Sequence, residues 1–309
     1  MVFMVLSYPG FASAADSKEV YKQRQDAQRD RQQKKNERNR NLADATRAFR
    51  SYTQGLKMDY RERVKNLDTE FQLRRVELNA EHNARVASAE ADYQKKVSNL
   101  FMNPGGELTD EHIQKMRDEQ KAHADVLFEL KKQSAEELHL ERIASQEKKN
   151  ALFDEMDKLA LDEAKSLGLT DKYAPILATP IGGELTRQEQ QWNDREKKEV
   201  VRLEERNKKA LSEFRNGAEL RKWEIGNLNE DFKLTWDKKA KLHALESEQV
   251  FLNTLFMQAA QGKEFDQQKA MNKVAEINEK KRLIEIEYKK IRDKNRITRR
   301  EERKAILGK

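Results

Sequence analysis

Residues 42–71 read LADATRAFRSYTQGLKMDYRERVKNLDTEF. Within them Leu42, Ala45, Phe49, Tyr52, Leu56, Tyr60, Val64, Leu67 and Phe71 advance by threes and fours, the spacing that gathers side chains on one face of an α-helix. Val76, Ala80, Ala84, Ala87, Tyr93, Val97 and Leu100 extend the stripe less strictly, and between Ser17 and Phe101 only Gly55 interrupts it, with no proline. One helix is therefore predicted over 15–101. At 1.5 Å per residue it would measure on the order of 120 Å, more than a globular domain can enclose, so its apolar stripe must be covered by other helices along its length.

Composition points the same way. Of 309 residues 38% are charged and 7% aromatic, and the mean hydropathy is -1.04, which leaves too little apolar material for one globular core of ordinary size. Ala, Glu, Lys, Leu and Arg make up about half of the chain, as in long helices and coiled coils. A disordered chain would lack the apolar periodicity that is present here. The fold class expected is all-α: long helices in antiparallel hairpins or coiled coil, elongated rather than globular.

The pentapeptide GGELT occurs twice, at Gly105–Thr109 and Gly182–Thr186. Glycine turns the chain and threonine caps the next helix. Thr109 is followed by Asp110 and Glu111, which oppose the helix dipole. Thr186 has Glu189 three residues on, the capping-box spacing. Both copies read as helix-starting corners. LFMNPGGELT at Leu100 aligns with LATPIGGELT at Leu177, and LFMQAAQGKEF begins at Leu255, so a weak internal repeat of about 77 residues is suggested. The resulting segments are a leader at 1–14, helix one at 15–101, a corner at 102–109, helix two at 110–167, an apolar Pro/Gly loop at 168–186, helix three at 187–262 and helix four at 263–309 with a basic tail.

Helix three carries Trp192, Phe214, Trp223, Phe232 and Trp236, either as interface anchors or as knobs of a helix-helix seam. Gly217 and Gly226 lie inside it and allow a bend or a close helix approach. Helix four has the cleanest heptad: Val274, Ile277, Lys281, Ile284, Tyr288, Ile291, Asn295 and Thr298 alternate steps of three and four. Val274, Ile277, Ile284, Tyr288, Ile291 and Asn295 are the candidate oligomer seam, with Asn295 setting register. An intrachain seam against helix three is the other reading.

No chemistry of the usual kinds is signalled. The chain has no cysteine, which removes disulfides and thiolate sites. The five histidines, His82, His112, His123, His139 and His243, are scattered; His112 and His123 share a face but stand about three turns apart. HExxH, P-loop, GxGxxG and GxSxG motifs are missing. The expectation is a non-enzyme with no cofactor and no metal.

Two kinds of surface are candidates for partners. The loop GLTDKYAPILATPIGG, Gly168–Gly183, holds Tyr173, Pro175, Ile176, Leu177, Pro180 and Ile181, more apolar residues than a solvated connection needs. It packs either on neighbouring helices or on another protein. The terminal regions hold most of the +7 net charge. Arg29, Arg31, Lys34 and Lys35 in the first, with Arg296, Arg299, Arg300 and Arg303 in the second, could contact nucleic acid, a membrane surface or an envelope polymer by displacing counterions; exposed helix faces give such charge runs too.

Residues 1–17 read MVFMVLSYPGFASAADS, an apolar run followed by small residues at signal-peptidase positions, although no basic residue precedes the run. Nothing later is long and apolar enough for a transmembrane anchor. In make-up the chain resembles periplasmic holdase chaperones, which are cysteine-free, basic and built from helical arms. The sequence leads first to an exported, non-enzymatic coiled-coil scaffold or assembly subunit, periplasmic or extracellular, that joins protein partners as a homo-oligomer or larger assembly. A holdase-like chaperone and a polyanion binder are the alternatives, with a cytoplasmic location if the leader is false.

Overall fold

A computed structural model gives the structure of the chain and describes residues 14–101, 109–260 and 267–308. The leader expected over 1–14, apart from Ala14, and the corner at 102–109, apart from Thr109, lie outside the described residues. The fold is all-α: α1 (Ala14–Phe101), α2 (Asp110–Ser166), α3 (Arg187–Arg215), α4 (Gly217–Ala260) and α5 (Gln267–Ile306), with no strand among the described residues. The chain divides into two units, one of residues 14–59 and Glu155–Arg215, the other of Tyr60–Asp154 and the residues from Asn216 on.

Of the two glycines at which helix three could bend, the break falls beside Gly217: α3 and α4 meet at Asn216, and α4 runs unbroken through Gly226 to Ala260. The Asn216 carbonyl accepts from the Leu220 amide at 3.2 Å, so Asn216 begins the new helix as a cap does. Gly226 is exposed, and a Cβ there would meet nothing within 4 Å, so no close helix approach explains it.

In the first unit α1 and α3 run parallel. Partners along the pair keep nearly constant separation: Arg24 with Glu189, Arg38 with Glu196, Lys57 with Glu213. Both helices pack against the end of α2, as the first and third helices of an up-and-down series do. The core here is Leu42 and Phe49 of α1, Ala160 and Ala164 of α2, Leu169 of the link, and Leu211 and Phe214 of α3. Alanines at 0% exposure let the α2 end approach closely, and Phe214 meets Phe49 edge to face at 6.0 Å.

α2 ends in a Schellman motif. The Leu169 amide donates to the Ala164 carbonyl at 2.9 Å and the Gly168 amide to Lys165 at 3.0 Å, while Gly168 takes φ 68°. Leu169 is thereby turned into the same core as Ala164. The glycine is needed because a side chain is strained at that φ.

In the second unit successive helices pair antiparallel. Arg85 of α1 forks onto Glu137 of α2 at 3.1 and 2.7 Å, and Lys96 reaches Glu119 at 3.0 Å. α2 meets α4 through His139 with Asn229 and Arg221 with Asp154. α4 meets α5 through a small core of Leu245, Leu252, Ala270 and Ile277, with Val274 and Ile284 packed on it.

A single device recurs at three of these crossings. His123 stacks on Tyr93 with its Nε2 3.3 Å from Glu90; His139 stacks on Phe232 with Nε2 2.8 Å from Asn229; His243 stacks on Phe128 with Nε2 2.9 Å from Asp125. In each case the ring lies on an aromatic side chain and reaches the polar residue three positions earlier on the same helix. Residues three apart share a helix face, so one imidazole satisfies both its face and its edge. Three of the five histidines that looked scattered in sequence, His123 between α1 and α2 and His139 and His243 between α2 and α4, are thus seam residues, and among the described residues no group of three or more acids and histidines is placed to hold a metal.

Leu211, at 2% exposure, fills the centre of the first core. Leu211→Ala is expected to cost about 2–5 kcal/mol in urea unfolding followed by circular dichroism. Val201→Ala, on the exposed side of the same helix, should stay within about 0.5 kcal/mol. Equal effects at the two positions would contradict this packing.

Candidate functional site

The link between α2 and α3 holds the densest set of specific polar contacts in the first unit. After the turn at Leu167–Thr170 it has no regular secondary structure from Lys172 to Pro180, and Leu169, Tyr173, Ile176 and Ala178 are each fastened by a side chain of α3. Asn207 donates to the Leu169 carbonyl at 3.2 Å and to the Tyr173 hydroxyl at 3.1 Å, and that hydroxyl donates to the Gly168 carbonyl at 3.1 Å. Glu204 accepts the Tyr173 amide at 3.1 Å. Trp192 donates its indole N–H to the Ile176 carbonyl at 2.8 Å, and Glu196 accepts the Ile176 amide at 3.4 Å. Asn193 accepts from the Ala178 amide at 2.6 Å and donates to the Ala178 carbonyl at 3.3 Å, as a neighbouring β-strand would.

These side chains lie where α3 would ordinarily bury apolar residues. Glu189, Glu196, Val200, Asn207, Leu211 and Phe214 form its buried face, and the polar members are buried because the backbone of the link offers them partners. An unpaired backbone amide or carbonyl under cover is costly, so the link needs such donors and acceptors if it is to lie flat.

The second half of the arrangement comes from the basic run of α1. Glu196, 1% exposed, accepts from Arg38 and has Lys35 at 3.5 Å; Lys35 also pairs with Glu199. Burial pushes the Glu196 carboxyl up, but the Arg38 hydrogen bond, the Ile176 amide and the charges of Arg38 and Lys35 outweigh it and hold the carboxyl below its ordinary value. Glu189 follows the same pattern: burial opposes ionisation, while the Thr186 amide and hydroxyl and the nearby Arg24 and Arg31 lower it on balance. The Tyr173 hydroxyl moves the other way, up, through burial.

The second GGELT corner explains itself here. Gly182 takes φ 72° and its Cα lies so close to α1 that a Cβ would stand 3.0 Å from Val20; Gly183 takes φ 116°. The carbonyls of Ile181 and Glu184 accept from the Arg24 guanidinium at 2.6 and 3.2 Å. Thr186 and Glu189 close the capping box: the Thr186 amide donates to Glu189 at 2.8 Å, and the Glu189 amide reaches the Thr186 hydroxyl at 3.3 Å. At the first copy Thr109 accepts from the Ile113 amide through its carbonyl at 3.1 Å and receives the His112 amide on its hydroxyl at 3.4 Å.

The residues singled out in sequence separate accordingly. Tyr173, Pro175, Ile176 and Ile181 are half-buried against their own chain, and Leu177 and Pro180 are exposed. The loop is therefore an internal strap for most of its length. Arg31 and Lys35 are turned inward to α3, whereas Arg29 and Lys34 are exposed beside Asp26 and Asp30. Arg299 is engaged by Asp231, Glu230 and the Asn227 carbonyl. Arg296, Arg300 and Arg303 are exposed.

Of the two readings of the α5 heptad, the intrachain seam is the one seen: Val274, Ile277 and Ile284 pack within the chain against α4, and Tyr288, 1% exposed, hydrogen bonds to Asp237 of α4. Ile291 and Asn295 are half-buried on α5. A heptad marks a covered face without naming its cover. The aromatics are likewise used internally: Trp236 packs with Phe128 and Phe232, and Trp223 donates to Glu302 at 2.7 Å.

Sequence reasoning missed Asn193, Glu196, Glu204 and Asn207. Their signal was present as polar residues on the threes-and-fours stripe of an otherwise amphipathic helix. Comparison with protein-family models, curated proteins and solved structures gives no significant match.

Two measurements test this geometry. Because the Glu196 carboxyl is lowered in the folded chain, its contribution is present above about pH 4.3 and is lost as pH falls through the folded value. Glu196→Gln should cost about 3–5 kcal/mol at pH 7 by stranding Arg38, and the gap to the parent chain should narrow below about pH 4; a gap independent of pH contradicts the ion pair. Gly182→Ala should lower stability by about 1–3 kcal/mol in the same assay, and an unchanged midpoint would show that the corner tolerates a side chain.

Proposed function

We propose that the chain is a non-enzymatic helical scaffold or assembly subunit, exported to the periplasm or beyond, which joins protein partners or further copies of itself. The observation that carries this reading is on α5. Its seam toward α4 is filled, yet Met271, Leu283, Ile286 and Ile297 remain exposed at 57%, 53%, 38% and 59%. Successive residues on a helix are 100° apart, so these four fall within one stripe about 120° wide. They share that side of α5 with exposed charges such as Glu279, Arg282 and Lys290; a helix that already buries one stripe has no intrachain need for apolar side chains on its other side, and such side chains rimmed by charge suit a protein contact.

The same logic weighs against the polyanion reading. Lys35, Arg38 and Arg299, which gave the termini much of their basic look, face carboxylates of the same chain, and a phosphate would have to displace those partners. Among the described residues no helix is long and apolar enough to cross a membrane.

Sedimentation equilibrium of the purified chain is expected to show concentration-dependent association or a stably copurifying protein. Ile286→Glu combined with Ile297→Glu should abolish it while leaving the circular dichroism unchanged. A monomer without a partner at micromolar concentration contradicts the proposal, as does association that survives the double variant. Suppression of a denatured client's aggregation without any defined assembly would favour the chaperone alternative.

A further inference from the structure

Beside the second GGELT corner, a cleft of about 280 Å³ opens between the first turns of α3 and the early part of α1, bordered by Tyr21, Gln28, Arg31, Gln188 and Trp192 among others. Arg31 is among the residues that border it. The Arg31 side chain is 9% exposed and makes no hydrogen bond: its Nε is buried without a partner, and its nearest carboxylate oxygen, on Glu189, stands 4.0 Å from Nη2. Arg24, by contrast, is satisfied by the carbonyls of Ile181 and Glu184 and lies 3.7 Å from Glu189.

A guanidinium has five donors in a fixed fork, and leaving them unmet under cover is costly. Glu189 cannot meet them in full, since its Oε2 already accepts the Thr186 amide and hydroxyl. Arg31 is therefore a nearly buried cation bordering a cleft open to small molecules, balanced within the chain only by an ion pair of 4.0 Å to Glu189 Oε1.

From this geometry we infer that the cleft binds a small organic monocarboxylate with a hydrogen-bonding body, of amino-acid or sugar-acid size. Charge sets the first term. Two guanidiniums face one carboxylate, leaving a single positive charge, and Glu189 repels a dianion, so one carboxylate fits better than a phosphate or sulfate. Shape sets the second: a carboxylate meets the planar guanidinium fork through two parallel bonds. The rim sets the third. The side-chain amides of Gln28 and Gln188 and the Tyr21 hydroxyl can each donate and accept, which suits hydroxyl or amide groups, and Trp192 supplies an apolar wall. The positive end of the α3 dipole adds to the attraction.

The test is a titration of the purified full chain with D-glucuronate and with N-acetylglutamine as probes, read by tryptophan fluorescence and by the NMR shift of the Trp192 indole N–H. Glucose and N-acetylglutamine amide serve as uncharged counterparts, and sulfate as the dianion. The expected result is saturation by at least one carboxylate in the millimolar range or tighter, with its uncharged counterpart and sulfate weaker by about tenfold or more, the margin expected of a charge-assisted bond. Which probe saturates distinguishes the sugar acid from the amino acid. Arg31→Met should weaken binding by about tenfold or more. If that variant does not fold, the exposed pair Gln28→Leu with Gln188→Leu decides, by a loss of about fivefold or more expected from two rim hydrogen bonds. No saturation by either carboxylate up to 50-fold above the millimolar range, equal binding of the uncharged counterparts, or affinity unchanged in the deciding variant would overturn the inference and leave Arg31 as a counter-charge for Glu189 alone.

Discussion

The first unit depends on a carboxylate that has been taken out of water. Glu196 is almost wholly enclosed, and it is held there by a guanidinium from α1, an ammonium from α1 and an amide from the strap. Removing an ion from water is costly unless opposite charges and hydrogen bonds surround it. That requirement ties three separate stretches of chain together: the basic run of α1 is inward because α3 is acidic at matching positions, and the strap lies flat because α3 presents side chains that replace water on its backbone. The link then brings Ile176 to Glu196 and Gly182 to Val20 on its way to the start of α3.

Much of this was legible residue by residue. The stripe from Leu42 to Phe71 marks a helix because no other regular conformation repeats at threes and fours, and its buried members Leu42, Phe49 and Tyr60 face partners. Thr186 with Glu189 marks a helix start because the capping geometry is local. Gly168 marks a helix end for the same reason. Signals of this type lie within a few residues of one another, so the chain's own chemistry discloses them.

What was not legible depends on residues far apart in the chain. Arg38 and Glu196 are 158 positions apart, and nothing in KQRQDAQRDRQQKKNERNRN distinguishes Arg31, which is buried, from Arg29, which is not, except its place on the helix face. The heptad of α5 fixes which side is covered but leaves α4 and a second chain as equal candidates. The bend at Asn216 was legible only as one of two candidate glycines, because nothing in the apolar spacing separates Gly217 from Gly226. The polar strap contacts were hidden for a further reason: Asn193, Glu204 and Asn207 look like ordinary surface residues until the backbone of the strap is laid against them.

The claim that most of the account rests on is that residues 169–181 are a strap fastened to α3 and not a free connection. Amide hydrogen exchange reads this directly, since amides bonded within the fold exchange through opening and free ones do not need to. The account predicts that the Tyr173 and Ala178 amides, bonded to Glu204 and Asn193, exchange slowly, at rates near those of α3 itself. Exchange of both at the rate of an unstructured peptide would contradict it.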